Sequence, residues 1–510
     1  MGKVYTYEEV QQHRSAESCW VILYGNVYDV TTFVPEHPGG SRIILQLAGQ
    51  DATEEYDPIH PPGTLEEALP ASAKIGTIDE STLPAVEKAP ADDPAVEESL
   101  MTLDDCLNMD DIEKLATQKM SKKAWAYYYS AGDDLISKRL NNTVYRNILL
   151  RPRVFHDVTK CDTSSTLLGN KVNIPLFVSP AAMARLGHPD GEHGIAQACR
   201  TYGACQIISN NASQTPEQIC AGAAPDQIFG WQLYVNMDIK KSEDMIRRVS
   251  KIPQIKFIVL TLDAPVPGKR EDDEREGKNV GANLPVRSAA QEGSSSTTTP
   301  SPTAASVPTK QGSGSVAAAM FAGTACDLTW HTTLPWLAAQ TSLPIVLKGV
   351  QTHEDVELAA RFAPQIQAVI LSNHGGRSAD TSPPSIHTLL ECKKFCPHVF
   401  DSLELWVDGG IKRGTDIVKA LALGAKGVGM GRNALFGLGA GGTAGVERVF
   451  EILKAEMETA MRLLCVGEIG QLNARHVNAR AVERDIFDGV PQGYEEAGLW
   501  AKAKKRASKL

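Results

Sequence analysis

From about residue 170 to residue 430, short apolar runs of strand length recur. Each is followed by a stretch whose apolar positions have helical spacing. Eight runs stand out: Ile174–Val178, Gln206–Ile208, Trp231–Val235, Phe257–Leu262, Pro344–Leu347, Ala368–Leu371, Leu405–Val407 and Gly427–Met430. Several are apolar at consecutive positions, as strands buried on both faces of a parallel sheet must be. Glu354–Phe362 and Thr415–Leu423 are examples of the helical partners. Eight β-then-α units predict an α/β fold, a TIM (β/α)8 barrel. A doubly wound open sheet is the alternative that one or two fewer strands would give.

The barrel places catalytic groups just past the strands, at one rim. The residues there are Ser179, Ser209, Gln232 with Tyr234, Thr261 with Asp263, Lys348, Ser372 through His374, Asp408, and Gly431 with Arg432. All eight strand ends therefore carry hydrogen-bonding or ionisable groups, which one or two chance polar positions would not explain.

The barrel block is expected to span residues 101–480. Ahead of it, residues 1–78 form a second compact block of aromatic and β-branched clusters, a small α+β domain. Residues 79–100 are acidic and contain Pro84, Pro90 and Pro94. They cannot bury a core and predict an extended linker. Residues 287–315 are rich in Ser, Thr, Pro and Ala and predict a disordered excursion from one barrel loop. Residues 481–510 are expected to form a tail.

Charge narrows the partners. The chain has 510 residues, with 51 Lys and Arg against 61 Asp and Glu, a net charge of −10. Nucleic acid is therefore disfavoured as a partner. No apolar run of about 18 residues occurs, so no membrane span is expected. The ten cysteines show no CxxC pair; Cys392 and Cys396 are the closest. A disulfide framework or zinc knuckle is not expected, and a reducing compartment fits. The N-terminus has neither the Arg-rich stretch of a mitochondrial presequence nor the apolar core of a secretory signal. The sequence ends Ser508-Lys509-Leu510, the tripeptide address read by the peroxisomal import receptor. Peroxisomal location is the expectation, with the cytoplasm as the alternative.

Two constellations carry chemistry. In the first block, His37-Pro38-Gly39-Gly40 precedes His60 by 23 residues. Two neutral imidazoles can ligate a haem iron from opposite faces, and glycines let the backbone turn beside the flat macrocycle. With both axial positions filled, such an iron only passes electrons. The alternative is an ordinary Pro-Gly turn and an unrelated surface histidine. No CxxCH occurs, so the haem is expected to be non-covalent.

In the barrel block, Ser372-Asn373-His374-Gly375-Gly376-Arg377 combines a histidine able to take a substrate proton with an arginine able to grip a carboxylate. Asp263, at another strand end, is placed to orient His374. The plain alternative is a glycine-rich turn capped by Asn373. Asp408-Gly409-Gly410-Ile411-Lys412 and Gly427–Arg432 follow the last two strands, where barrels commonly hold a phosphate. Neither is a dinucleotide fingerprint after a first strand. Lys348 ends a buried run and needs an anion, either a reduced flavin or a salt-bridge partner at the barrel mouth.

The first block resembles cytochrome b5 through WVILYGNVYDVTTFVPEHPGG. The resemblance implies haem b with His37 and His60 as axial ligands. The second block resembles the FMN-dependent 2-hydroxy-acid dehydrogenase and oxidase family over about residues 104–465. The matching segments are Ala124–Tyr128, Trp231–Val235, Thr261–Pro265, Leu347–Val350, SNHGGR and VDGGIKRGTD. The two together are similar to the flavocytochrome b2 family, the L-lactate:cytochrome c oxidoreductases of fungi. The resemblance implies FMN and an L-2-hydroxy-acid substrate. It makes His374 the active-site base, paired with Asp263. Tyr127 and Arg377 would bind the substrate carboxylate, Tyr234 the hydroxyl, and Arg270 would lie near the substrate. Ala182 would bind the cofactor; Ser209, Gln232, Thr261 and Lys348 would contact the flavin ring, and Asp408, Gly410, Gly431 and Arg432 its ribityl chain and phosphate. A homotetramer is the family's usual assembly.

Four features depart from that pattern. Ser130-Ala131-Gly132 replaces Ser-Gly-Ala. Lys412 replaces an arginine, losing a bidentate phosphate contact. Asn211 stands at a pocket position that is apolar in the lactate enzymes, which favours a more polar acid. The peroxisomal tripeptide leaves the electron acceptor open among cytochrome c, another acceptor and oxygen. The oxygen branch would make the protein a glycolate or lactate oxidase that produces hydrogen peroxide.

Overall fold

A computed structural model describes residues 3–37, 40–83, 101–279, 321 and 323–489. The N-terminal module is a five-stranded sheet. Its strands are β1 (Lys3–Tyr5), β2 (Arg14–Ser15), β3 (Ser18–Leu23), β4 (Asn26–Asp29) and β5 (Lys74–Ile78), in the order β1-β5-β4-β3-β2. Strand β3 is the reason for this sheet, because its side chains alternate between two small cores. Cys19, Val21 and Leu23 join Val30, Val34, Ala48 and Ala52. Ile22, with Trp20 packed at the edge, joins Tyr5, Val10, Val27 and Ile78.

The second module is a closed barrel of eight parallel strands: β6 (Leu176–Val178), β7 (Cys205–Ile208), β8 (Phe229–Leu233), β9 (Ile255–Thr261), β10 (Ile345–Val350), β11 (Ile366–Leu371), β12 (Glu404–Asp408) and β13 (Gly427–Met430). Neighbours pair in chain order, and β13 pairs with β6 to close the cylinder. Every strand overlaps its predicted run, and the helices His353–Ala360 and Gly414–Ala422 fall on their predicted stretches. The open sheet is excluded by the β13–β6 pairing.

Alternation within the strands decides what reaches the rim. Phe257 and Val259 of β9 point into the barrel, where Phe177, Trp406, Val346 and Ile370 fill the interior. Ile258 and Leu260 point out to the helical layer. Phe177 and Phe257 pack on Trp406 with centroids 5.3 and 5.6 Å away. Burying such a ring stabilises the fold by roughly 2–3 kcal/mol. Each inward series continues by steps of two to a polar residue or a glycine: Ser179, Ser209, Gln232, Thr261, Lys348, Ser372, Asp408 and Gly431. The functional rim is thus the last inward layer of the barrel.

The module edges differ from the expected ones in two places. Residues 79–83, read as the start of the linker, include a 3-10 turn, Glu80–Thr82, capped by Asp79. It is tied to β1 by the Asp79 N–H donating to Tyr5 O at 2.8 Å, and to the helix after β1 by the Tyr7 N–H donating to Thr82 Oγ1 at 2.8 Å. Residues 481–489, read as tail, pack on the barrel through buried Val482 and Ile486. In both places a few apolar side chains find a surface that composition does not reveal. The rest of the linker, the 287–315 stretch and the terminal tripeptide lie outside the described residues.

Candidate functional site

In the N-terminal module, His37 and His60 face one another with ring centroids 6.2 Å apart and planes tilted by 44°. Each Nδ1 is engaged by a backbone carbonyl: His37 with Gly40 O at 3.3 Å and His60 with Tyr56 O at 3.0 Å. That leaves each Nε2 free to ligate and fixes its ring. Burial lowers both pKa values, and His37 lowers that of His60 further, so both rings are neutral and ready to ligate. The Tyr56 ring stacks on His60 at 4.1 Å and 9°. The separation leaves room for one metal centre between two nitrogens, with bonds of about 2 Å each. Among the described residues no cluster of three or more His, Cys, Asp or Glu is poised for a metal. The two-ligand arrangement therefore suits a metal that brings its own equatorial donors, as haem does.

The barrel rim encloses a cavity of about 440 Å3. All predicted site residues of this module line it except Asp263, which stands directly behind His374. His374 Nδ1 lies 2.8 Å from Asp263 Oδ1, and the Asp263 side chain is fully buried. Gly349 makes this possible. Its φ is +93°, and a Cβ there would come within 2.4 Å of Asp263 Cγ. Burial pushes the Asp263 carboxyl up, but His374 and Lys348 outweigh it, and the net shift is down. Burial lowers His374, more than the opposing pull of Asp263 raises it. The pair is therefore a carboxylate and a neutral imidazole. The Nδ1 proton is held toward Asp263 and the Nε2 lone pair is free to act as a base.

Cations crowd the cavity. Arg377 Nη1 donates to the carbonyls of Tyr127 (2.8 Å), Tyr128 (3.2 Å) and Ser130 (2.9 Å), and its guanidinium lies 5.1 Å from the Tyr127 ring centre. Burial and then Arg270 pull Arg377 down to about 9. Arg270 is 3% exposed and leaves Nη1 without a partner. Such a pair favours an anionic ligand between or beside it. Tyr234 lines the same cavity, and burial, with Asp263 adding to it, raises its pKa, keeping the phenol protonated.

The remaining rim residues form a cradle with open valences. Lys348, 4% exposed, donates to Ser372 Oγ at 3.1 Å and lies 3.6 Å from Asp408 Oδ2. Its expected anion is thus supplied in part by Asp408, which also accepts from Ser179 Oγ at 2.9 Å. Gln232 Oε1 accepts from the Asn210 N–H at 2.9 Å, and Ser209 Oγ lies 3.4 Å from it. Gln232 Nε2, Thr261 Oγ1 and Asp408 Oδ1 are buried without partners. Buried polar atoms normally have partners, so these three mark where a planar, polar cofactor fits. A Cβ built on Gly431 meets nothing within 4 Å, so that backbone opens onto free space at the N-terminus of the helix that begins at Arg432 and breaks at Gly441–Gly442. A phosphate suits such a position. Arg432 is less available than expected. It donates to Tyr128 O, Gly375 O and Ser130 O at 2.9–3.0 Å, bracing the turn that carries His374. Lys412 is held by Asp110 at 2.5 Å and Glu113 at 3.0 Å.

Asn211 is not among the residues lining the cavity. Its carbonyl accepts from the Met183 N–H at 3.2 Å, and its Nδ2 is buried without a partner. Two contributors, Phe321 and Asn141, escape sequence reasoning. Phe321 lines the cavity and packs edge-on against Tyr234 at 5.3 Å. Asn141 and Asn373 exchange two amide hydrogen bonds of 2.8 Å, and Asn373 Oδ1 accepts from the Gly376 N–H at 3.2 Å. Asn373 has a signal in SNHGGR, where the structure shows the capping role: its side chain accepts from the Gly376 N–H. Asn141 and Phe321 have none, because each meets the site only through the fold.

Comparison with known proteins agrees with this geometry. The FMN-dependent dehydrogenase family model matches residues 116–479, and the cytochrome b5-like heme/steroid binding domain matches residues 6–79. The chain is 38% identical over 480 residues to L-lactate dehydrogenase (cytochrome) of Saccharomyces cerevisiae, covering 91% of this chain and 78% of that one. It is 36% identical over 353 residues to 2-hydroxyacid oxidase 2 of Mus musculus, covering 69% and 93%. Among solved structures, a flavocytochrome b2 variant with sulfite bound is 35% identical with a TM-score of 0.65, covering 79% of this chain and 94% of that one. A mandelate oxidase variant with (S)-mandelic acid is 30% identical with a TM-score of 0.60, covering 73% and 98%. The chain therefore belongs to the FMN-dependent dehydrogenase family, as a two-module flavin and haem b enzyme with a cytochrome b5-like domain ahead of its barrel.

Proposed function

We propose that the enzyme oxidises L-lactate to pyruvate and delivers the electrons through its haem to a cytochrome-type acceptor. The observation that carries this is the neutral His374, backed by Asp263, in a cavity that also holds the Arg377 and Arg270 cations. Arg377, with Tyr127 beside it, takes the substrate carboxylate, which sets the C2 hydroxyl toward Tyr234. The oxidation removes two protons and two electrons from lactate: His374 Nε2 takes one proton, and the other would leave with the electron pair to the FMN that Lys348 and Gln232 would hold. Asp263 stabilises the imidazolium that forms. FMN, when bound, accepts two electrons from the substrate and passes them singly to the haem. The relatives that match across both modules, at 91% and 94% of this chain, are named L-lactate dehydrogenase (cytochrome). The oxidases match only 69–75% of it, which favours the haem route over oxygen.

An anaerobic spectral titration with L-lactate, glycolate and larger L-2-hydroxy acids tests this. L-lactate is expected to bleach the flavin and then to reduce the haem. Bleaching with a haem that stays ferric, and peroxide accumulating in air, would establish the oxidase instead. The proposal extends to a homotetramer, checked by light scattering. It also extends to peroxisomal location, supported by Ser508-Lys509-Leu510. A fluorescent fusion lacking that tripeptide should lose punctate localisation.

A further inference from the structure

The mechanism leaves one contact between the modules unused. Arg185 sits in a 3-10 turn, Ala184–Leu186, three residues after the cavity-lining Ala182. Its guanidinium donates from Nη1 to the Asp57 carbonyl at 3.0 Å and from Nη2 to the Asp57 carboxylate. The other carboxylate oxygen accepts from the Tyr24 hydroxyl at 2.6 Å. Asp57 directly follows Tyr56, the residue that stacks on His60 and engages its Nδ1. The contact therefore joins the flavin wall to the axial ligand of the haem.

Both ends of this contact are rigidly mounted. The Arg185 N–H donates to Ser213 Oγ at 3.1 Å, and Ser213 Oγ donates to the buried Glu192 at 2.6 Å. Glu192 also accepts from the Ala184 N–H at 2.9 Å. On the haem side, the Asp57 N–H closes the short helix Thr53–Tyr56 on Thr53 O. A guanidinium held at both a carbonyl and a carboxylate fixes orientation as well as distance.

The surroundings repeat the same polarity. Glu55 acts electrostatically on Lys123, and Glu67 on Arg248, each pairing an acid of the haem module with a base of the barrel. Residues 1–78 hold 11 acidic side chains against 4 basic ones, so the haem module carries a net negative charge. Complementary charge of this kind fixes register between two bodies.

We propose that Arg185 is a positioning residue that latches the haem module to the barrel through Asp57, and that the latched arrangement is the one in which an electron passes from reduced flavin to ferric haem. The iron becomes ferrous as the flavin gives up that electron, and no other reactant is needed. The pair is partly exposed, with side chains 20% and 34% accessible, so its effect is bounded. Loss of the latch should slow haem reduction by about three- to tenfold.

The proposal rests on the two-cofactor reading, so the test reduces the flavin by light with EDTA as well as by L-lactate. In the holoenzyme with Arg185→Ala, flavin and haem absorbance and flavin bleaching by lactate should match the parent within twofold. Haem reduction after the flash should slow, and hydrogen exchange at residues 53–60 and 183–187 should rise. Arg185→Asp should slow haem reduction further, and combining it with Asp57→Arg should restore most of the rate. Raising the salt should slow the parent more than Arg185→Ala. Unchanged haem reduction and exchange in Arg185→Ala would overturn the latch. So would failure of the charge swap to restore the rate, or slowed bleaching in Arg185→Ala, which would place Arg185 in the flavin wall instead. A chain that lactate fails to bleach but light reduces would count against the lactate reading while leaving the latch measurable.

Discussion

Both modules place histidines in enclosed sites, and the two placements differ in what holds Nδ1. His37 and His60 meet backbone carbonyls, which are neutral, so their rings stay fixed and uncharged and suit a metal. His374 meets the carboxylate of Asp263, a full negative charge in a buried place. That partner does not make His374 charged at rest, because burial still lowers its pKa. It does make the charged form affordable once the ring accepts a proton. In the function proposed above, that one orienting partner separates a ligand from a base.

Changes to either histidine set test this contrast, and the largest effect belongs to the base itself. His374→Gln should slow flavin bleaching by L-lactate at least about 10^3-fold, while dithionite still reduces the haem. Stopped-flow absorbance reads both. If the haem signal also disappears, the fold rather than the base has been lost.

Asp263→Asn should cost nearly as much, about 10^2- to 10^3-fold, because the amide neither stabilises an imidazolium nor selects the tautomer. The pH profile carries the sign. In the parent, kcat/KM should fall as pH drops through the lowered pKa of His374, since the protonated ring is no base. Asp263 raises that pKa, so the residual activity of Asp263→Asn should keep its acid limb at lower pH than the parent. An unmoved acid limb would mean that some other group titrates.

The haem ligands should give the mirror image. His60→Ala should abolish the six-coordinate haem spectrum yet leave anaerobic bleaching by lactate within about twofold. A collapse of bleaching would show that the modules do not fold independently. Gly349→Ala tests the support of the catalytic pair without touching either member. The added methyl would meet Asp263 at a positive φ, and we expect a loss of about 1–3 kcal/mol in thermal or denaturant unfolding, together with reduced activity. The smallest effect is expected at Tyr56→Phe. The hydroxyl is buried without a partner, so its removal should change stability by no more than about 1 kcal/mol and leave the haem spectrum in place.

Much of this is legible in the amino-acid sequence. Strand period fixes which residues point inward, so Thr261, Lys348 and Asp408 can be assigned to the rim from Phe257, Val346 and Trp406. The spacing of His37 and His60 in a short chain segment likewise limits them to one small module. Other parts of the site have no local signature. Asn141 reaches Asn373 across 232 residues, and Arg432 reaches the carbonyls of Tyr128 and Ser130 across more than 300. Nothing near either residue in the chain marks such a partner.

The amino-acid order by itself pointed to eight β-then-α units and to two local clusters, His37 with His60 and His374 with Arg377, because periodicity and side-chain chemistry are local properties. Only the closed structure decided that Lys412 faces two carboxylates, that Asn211 stands off the cavity, and that Arg185 bridges to Asp57. Those outcomes depend on which surfaces meet when the cylinder closes and the modules dock. Charge and hydrogen-bond partners are allotted there by distance in space, to which distance along the chain is no guide.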